Sequence, residues 1–167
     1  MSKKLILMRH AKSSWKEPLP DQERPLNKRG KRAAKMIGKT LAEKGIIPDL
    51  ILSSDAKRAR ATAKRVLKAL DKEKIDLQLD PALYAADARE ILREIEKTED
   101  KIQTLMVVAH NPGISELAVM LSGEDAFSWL PTAAVVVLEI DGDSWREIAP
   151  GKAKVLLHLI PREWEKS

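Results

Sequence analysis

The chain has 167 residues, 44% of them hydrophobic and 33% charged, and it carries a net charge of +5 with a pI near 9.4. That length suits one domain with a sizeable core, expected over residues 1–161 with a short tail over 162–167. The absence of cysteine leaves out disulfides and thiolate metal sites, and no apolar run approaches the ~18 residues of a membrane span, so a soluble, cytoplasmic protein without a membrane partner is expected.

The first element is short and wholly apolar: Leu5-Ile6-Leu7-Met8, ending in Arg9 and His10. Such a run fits a strand of a parallel sheet covered on both faces. A polar loop, Lys16 to Pro25, follows. Asn27 is placed to cap a helix reaching about Lys44, with Ala34, Ile37 and Leu41 on one face and Gly45 as terminator. Asp49 to Ser53 reads as a second buried strand. Ser54 or Asp55 is expected to cap the next helix, whose inward face is Ala56, Ala59, Ala63, Val66, Leu67 and Leu70.

Ile75 to Leu79 is a short strand closed by Pro81, and Asp87 to about Lys97 has helical spacing. Thr104 to Ala109 is the third strong strand, ending at His110, and Pro112 opens a helix to about Leu121. Thr132 to Ile140, an Asp141-Gly142-Asp143 turn, a short Trp145 to Ile148 segment and a strand from Lys154 to Ile160 suggest hairpin-like edge strands. This order predicts an α/β fold, a three-layer α/β/α sandwich with a mostly parallel central sheet.

The basic excess falls in two blocks, Arg24 to Lys44 and Lys57 to Lys68. Most of these residues read as solvated faces of two amphipathic helices. Attraction of anionic substrates or nucleic acid is the other reading. No aromatic residues are interleaved with the charges to stack bases, so a nucleic-acid partner is not expected.

Ligands of open α/β sheets bind beyond the carboxyl ends of the strands. Three such ends here carry chemistry. The first gives Arg9 and His10, the second leads through Ser53-Ser54-Asp55-Ala56-Lys57 to Arg58, and the third gives His110. Any one of these residues alone is ordinary. Two histidines and two arginines on three strand ends, beside helix N-termini, describe a phosphate site with a nucleophile in it. His158, late in an apolar strand, reads as structural. Three scattered histidines offer no metal site.

These motifs resemble those of the histidine phosphatase superfamily, also called phosphoglycerate-mutase-like. Arg9-His10-Ala11 is similar to its Arg-His-Gly signature, and Ser54 to Thr62 to its Ser-Pro-x-x-Arg-Ala-x-x-Thr segment. Val108-Ala109-His110-Asn111-Pro112 resembles the stretch bearing its second histidine. The short length, with Asp21 to Leu26 followed by Gly30, resembles the SixA-type phosphohistidine phosphatase branch. Ala11 stands where glycine is usual, and Asp55 where proline is usual. Leu83-Tyr84-Ala85-Ala86 offers no glutamate acid of the kind larger members carry, which leaves Asp21, Glu23 and Asp87 as candidate general acids, with Asp21 favoured by the branch resemblance.

The resemblance implies metal-independent, cofactor-free phosphatase chemistry through a phosphohistidine on His10. Arg9 and Arg58 would hold phosphoryl oxygens with paired donors, and His110 would donate to the same oxygens. Ser13 and Arg24 are candidate phosphate contacts, an ion pair with Asp21 being the other reading of Arg24. Trp15 and Trp129 are expected to be partly buried, lining of the pocket mouth being the other reading. Pro131-Thr132-Ala133 is a candidate far wall. The expected partner is a protein phosphohistidine, because an imidazole leaving group needs less acid help than an alkoxide. A phosphatase of small phosphoesters, or a phosphate-binding module without turnover, is the alternative.

Overall fold

The computed structural model describes residues 1–72 and 74–161; the tail expected over 162–167 lies outside them. The elements in chain order are β1 (Ser2–Arg9), α1 (Lys28–Glu43), β2 (Leu50–Ser53), α2 (Lys57–Leu70), β3 (Asp76–Leu79), α3 (Ala88–Glu96), β4 (Thr104–Ala109), α4 (Gly113–Ser122), β5 (Val135–Asp141) and β6 (Lys154–Leu159). They form one sheet in the order β3-β2-β4-β1-β5-β6. The β3–β2, β2–β4 and β4–β1 pairs are parallel, and β5 and β6 close the other side antiparallel. β6 is therefore an edge strand as predicted, but β5 is not, since it lies between β1 and β6.

Alternation along the strands builds the layers. Leu5 and Leu7 of β1, with Leu105 and Val107 of β4, face a cluster that includes Ile91 of α3 and Leu117 of α4. Ile6 and Met8, with Met106 and Val108, face the opposite cluster with Ile37 of α1 and Val66 of α2. All of these are fully buried, and each such side chain contributes roughly 1.5–3 kcal/mol relative to exposure. The sheet is thus covered on both faces, which is why Leu5 to Met8 of β1 and Leu105 to Ala109 of β4 are apolar without alternation.

Caps set the helix starts. The Asn27 side chain accepts the Gly30 N–H (2.8 Å), as predicted, and Asp87 and Glu90 form a capping box on α3. The N-cap of α2 is Ala56, with no side-chain cap, rather than Ser54 or Asp55. Ser54 is displaced from that role because its hydroxyl serves His110 as well as the Ala56 N–H. α1 and α2 touch closely at Gly38, where a Cβ would lie 2.5 Å from the Cβ of Ala69. At Gly30 a Cβ would collide with the Lys12 carbonyl, so glycine is what lets the chain after β1 lie against α1.

Candidate active site

Strand register brings the two histidines together. Arg9 pairs with Ala109 across β1 and β4, and the next residue on each strand is a histidine. The His10 N–H donates to the Ala109 carbonyl (3.0 Å), and the two imidazole centroids lie 5.1 Å apart. β2 pairs with β4 on the other side, which delivers Ser53, Ser54 and the start of α2 to the same edge. Arg58, in the first turn of α2, is 6% exposed and reaches both histidines.

His10 Nδ1 lies 2.8 Å from the Ala11 carbonyl, an acceptor only, so Nδ1 carries the proton and Nε2 keeps its lone pair. That lone pair faces Arg58 Nε at 3.4 Å. Burial, with His110, Arg58 and Arg9 nearby, pushes the His10 pKa down to about 3 despite the Ala11 bond. Burial and Arg58 likewise lower His110 to about 4. Arg58 can only donate, so His110 Nδ1 accepts at 3.4 Å and Nε2–H donates to Ser54 Oγ at 2.7 Å. Both rings are neutral at pH 7, the form a nitrogen nucleophile requires.

The backbone around His10 is fixed from two directions. The Ala11 N–H donates to Thr62 Oγ1 (2.9 Å), whose hydroxyl donates to the Arg58 carbonyl (2.7 Å). The Ala133 N–H bonds the carbonyls of both Arg9 (3.1 Å) and His10 (3.0 Å). Ala133 sits at φ +61°, a conformation an alanine adopts at a cost and one that clusters at functional sites. That turn is why β5 begins at Val135 and not at Thr132.

Asp21 and Arg24 arrive from the loop before α1, which is pinned at its base by the Ser13–Leu26 bridge. Arg58 Nη1 donates to the Asp21 carbonyl (2.7 Å) and Nη2 to Asp21 Oδ2 (3.0 Å). Arg24 pairs with Asp21 Oδ1 (3.1 Å) and donates to Ser13 Oγ (2.6 Å), so the ion-pair reading of Arg24 holds in this structure. Tyr84 donates to Asp21 Oδ2 at 2.5 Å. The Tyr84 hydroxyl and the two arginines hold the Asp21 carboxyl well below the usual carboxylate range, while the Tyr84 pKa is raised by the same contact. Asp21 is thus an anion held directly against the Arg58 guanidinium.

Arg9 Nη1 donates to the Leu130 carbonyl (3.0 Å), and its Nε is buried without a partner among the described residues. Contrary to expectation, Trp15 and Trp129 are 77% and 62% exposed. Their rings stack on cations: Arg24 lies 3.5 Å from the Trp15 centroid and Arg9 5.6 Å from that of Trp129. His158 packs edge-on against Phe127 (4.9 Å). Ser54, Thr62 and Tyr84 enter the site without a role assigned from sequence. Ser54 and Thr62 are the two ends of the motif read around Arg58, and Tyr84 sits at the missing glutamate.

Similarity to known proteins follows the same residues. Residues 5–88 match the model of the histidine phosphatase superfamily, branch 1. An uncharacterised chloroplastic protein of Arabidopsis thaliana is 38% identical over 88% of this chain and 71% of its own. The structure of a candidate phosphohistidine phosphatase SixA from Nakamurella multipartitia superposes with a TM-score of 0.83 at 26% identity, over 96% of this chain and 97% of that one. That of Agrobacterium tumefaciens gives 0.82 at 30% identity, over 95% and 98%. The predicted three-layer, mostly parallel, phosphoglycerate-mutase-like fold is therefore the one adopted, and the chain belongs to the histidine phosphatase superfamily, among its SixA-type members.

Proposed function

We propose that the chain hydrolyses the phosphoramidate bond of protein phosphohistidine through a covalent phosphohistidine on His10, in the cytoplasm and without a metal ion. The observation that carries this reading is the pinned tautomer of His10: Nδ1–H held on Ala11, and an unprotonated Nε2 facing Arg58. In the first step the His10 Nε2–phosphorus bond forms as the bond from phosphorus to the substrate imidazole breaks. Arg58 and Arg9 hold the equatorial oxygens with donors already in place, and His110, neutral with its one N–H on Ser54, joins them by taking up a proton as the phosphoryl dianion arrives. In the second step water attacks phosphorus, its proton passes to solvent or Asp21, and the His10–phosphorus bond breaks to free phosphate.

Asp21 supplies the leaving-group proton in this scheme. As a free anion it has none to give, since Arg58, Arg24 and Tyr84 hold it ionised. A phosphoryl dianion taking over Arg58 sets like charges side by side, which raises the affinity of Asp21 for a proton. The acid is then armed by the substrate itself. A phosphohistidine needs little acid help, which fits a site whose one carboxylate is so strongly held.

Rapid-quench labelling with phosphoramidate tests the reading. The expected result is alkali-stable, acid-labile phosphate on His10, turning over to free phosphate and absent from His10→Ala. A folded protein that binds phosphate but shows neither label nor phosphate release would establish a binding module instead.

A further inference from the structure

The charge of this molecule is segregated. α1 and α2 carry twelve of its 30 Lys and Arg but one of its 25 carboxylates, Glu43. The other residues hold 18 cations against 24 carboxylates, a net negative remainder. Both helices lie on one face of the sheet, packed on each other at Gly38. Between them runs a groove of about 390 Å³ lined by Lys35, Lys39, Arg65, Lys68, Ala69 and Asp71. Apart from Arg58, no cation of either helix has a side-chain hydrogen bond or ion pair among the described residues.

Local helix physics argues against this arrangement arising for stability. Lys31, Lys35 and Lys39 are spaced four apart, as are Arg60, Lys64 and Lys68, and like charges at that spacing weaken a helix. Features that break local rules without a structural return concentrate at functional surfaces. The face also adjoins the catalytic edge. Exposed Lys57 precedes Arg58, and α1 lies against Lys12, two residues past His10.

We propose that the α1–α2 face docks an acidic surface of the phosphorylated protein substrate, steering that protein toward His10. This rests on the phosphatase reading above and narrows its substrate class to acidic phosphoproteins. A protein fits the face better than RNA or a bilayer does. Neither helix contains an aromatic residue to stack bases, and Met36, 38% exposed, is the one large apolar side chain exposed on them, so nothing is present to insert into lipid.

The test uses three phosphohistidine peptides with one shared core and flanks rich in Glu, Gln or Lys, with phosphoramidate as the small substrate. Wild type should show kcat/KM for the Glu-flanked peptide about tenfold or more above the Gln-flanked one at low salt, the gain collapsing as salt rises. The variant K35Q/K39Q/R65Q/K68Q should lose that preference and keep wild-type turnover of phosphoramidate, which also reports its folding. Equal kcat/KM for all three peptides would overturn the docking surface alone. No turnover of any of the four substrates would overturn the phosphatase reading and this proposal with it. Tighter binding of single-stranded RNA or phosphatidylserine vesicles than of the Glu-flanked peptide, lost in the variant, would overturn it in favour of that ligand.

Discussion

Strand β1 carries a cation near each end, Lys3 buried and Arg9 half-buried, and the two have opposite fates. At its start Lys3, 2% exposed, gives Nζ to the carbonyls of Asp100 (2.6 Å) and Ile102 (2.9 Å) and lies 5.4 Å from the centroid of the Trp145 ring. Trp145 Nε1 donates to the same Ile102 carbonyl (2.9 Å), and Asp49 Oδ2 accepts the N–H groups of Gln103 and Thr104 nearby. At its finish Arg9 leaves Nε without a partner among the described residues, and Arg58 holds its two histidines only at 3.4 Å while its shorter contacts go to the carbonyl and carboxylate of Asp21, on a loop. A buried charge whose donors are spent on carbonyls is scaffold. One whose donors are unspent or lent to a loop is a site awaiting an anion.

That contrast can be broken from either end. Arg58→Lys should leave the fold intact and lower kcat by about 10²–10³-fold, since an ammonium cannot supply the paired guanidinium donors; steady-state kinetics with an aryl phosphate checks this. Asp21→Asn should slow an alkyl phosphate by at least about tenfold more than it slows phosphoramidate, because only the poor leaving group needs the proton; the ratio of the two rates is the readout. Lys3→Met should do the reverse of Arg58→Lys, costing roughly 1–3 kcal/mol of stability in urea unfolding with kcat unchanged. The smallest effect is in pH. His10 and His110 have folded pKa values below their unfolded ones, so the unfolded chain binds protons first, and stability present above about pH 6.5 is lost as pH falls toward 4 and 3. Between pH 6.5 and 5 the loss is about 1–2 kcal/mol per histidine, and His10→Ala should remove its share of that slope.

The strands that build the site were legible because they are buried on both faces and therefore apolar without interruption, as in Leu5 to Met8 and Leu105 to Ala109. Arg9, His10, Arg58 and His110 were legible because each follows such a run or opens the helix after it. The partners were not. Tyr84 meets Asp21 across 63 positions and Ser54 meets His110 across 56, and no local pattern encodes a side-chain bond of that span. The exposure of Trp15 and Trp129 was missed for a related reason. An indole is expected inside unless a cation offers its face a partner outside, and here Arg24 and Arg9 do.

The ladder that aligns Arg9 with Ala109 has a consequence for how such a chain can diversify. His10 and His110 are placed by strand pairing, where a shift of one residue turns every side chain to the wrong face, and Arg58 by the helix that follows β2. Asp21, Arg24, Trp15 and Trp129 hang on loops that can lengthen, shorten or change composition with the sheet untouched. The proposed attack on phosphorus would thereby be inherited as an indivisible unit, while the choice of what is admitted to it is free to drift.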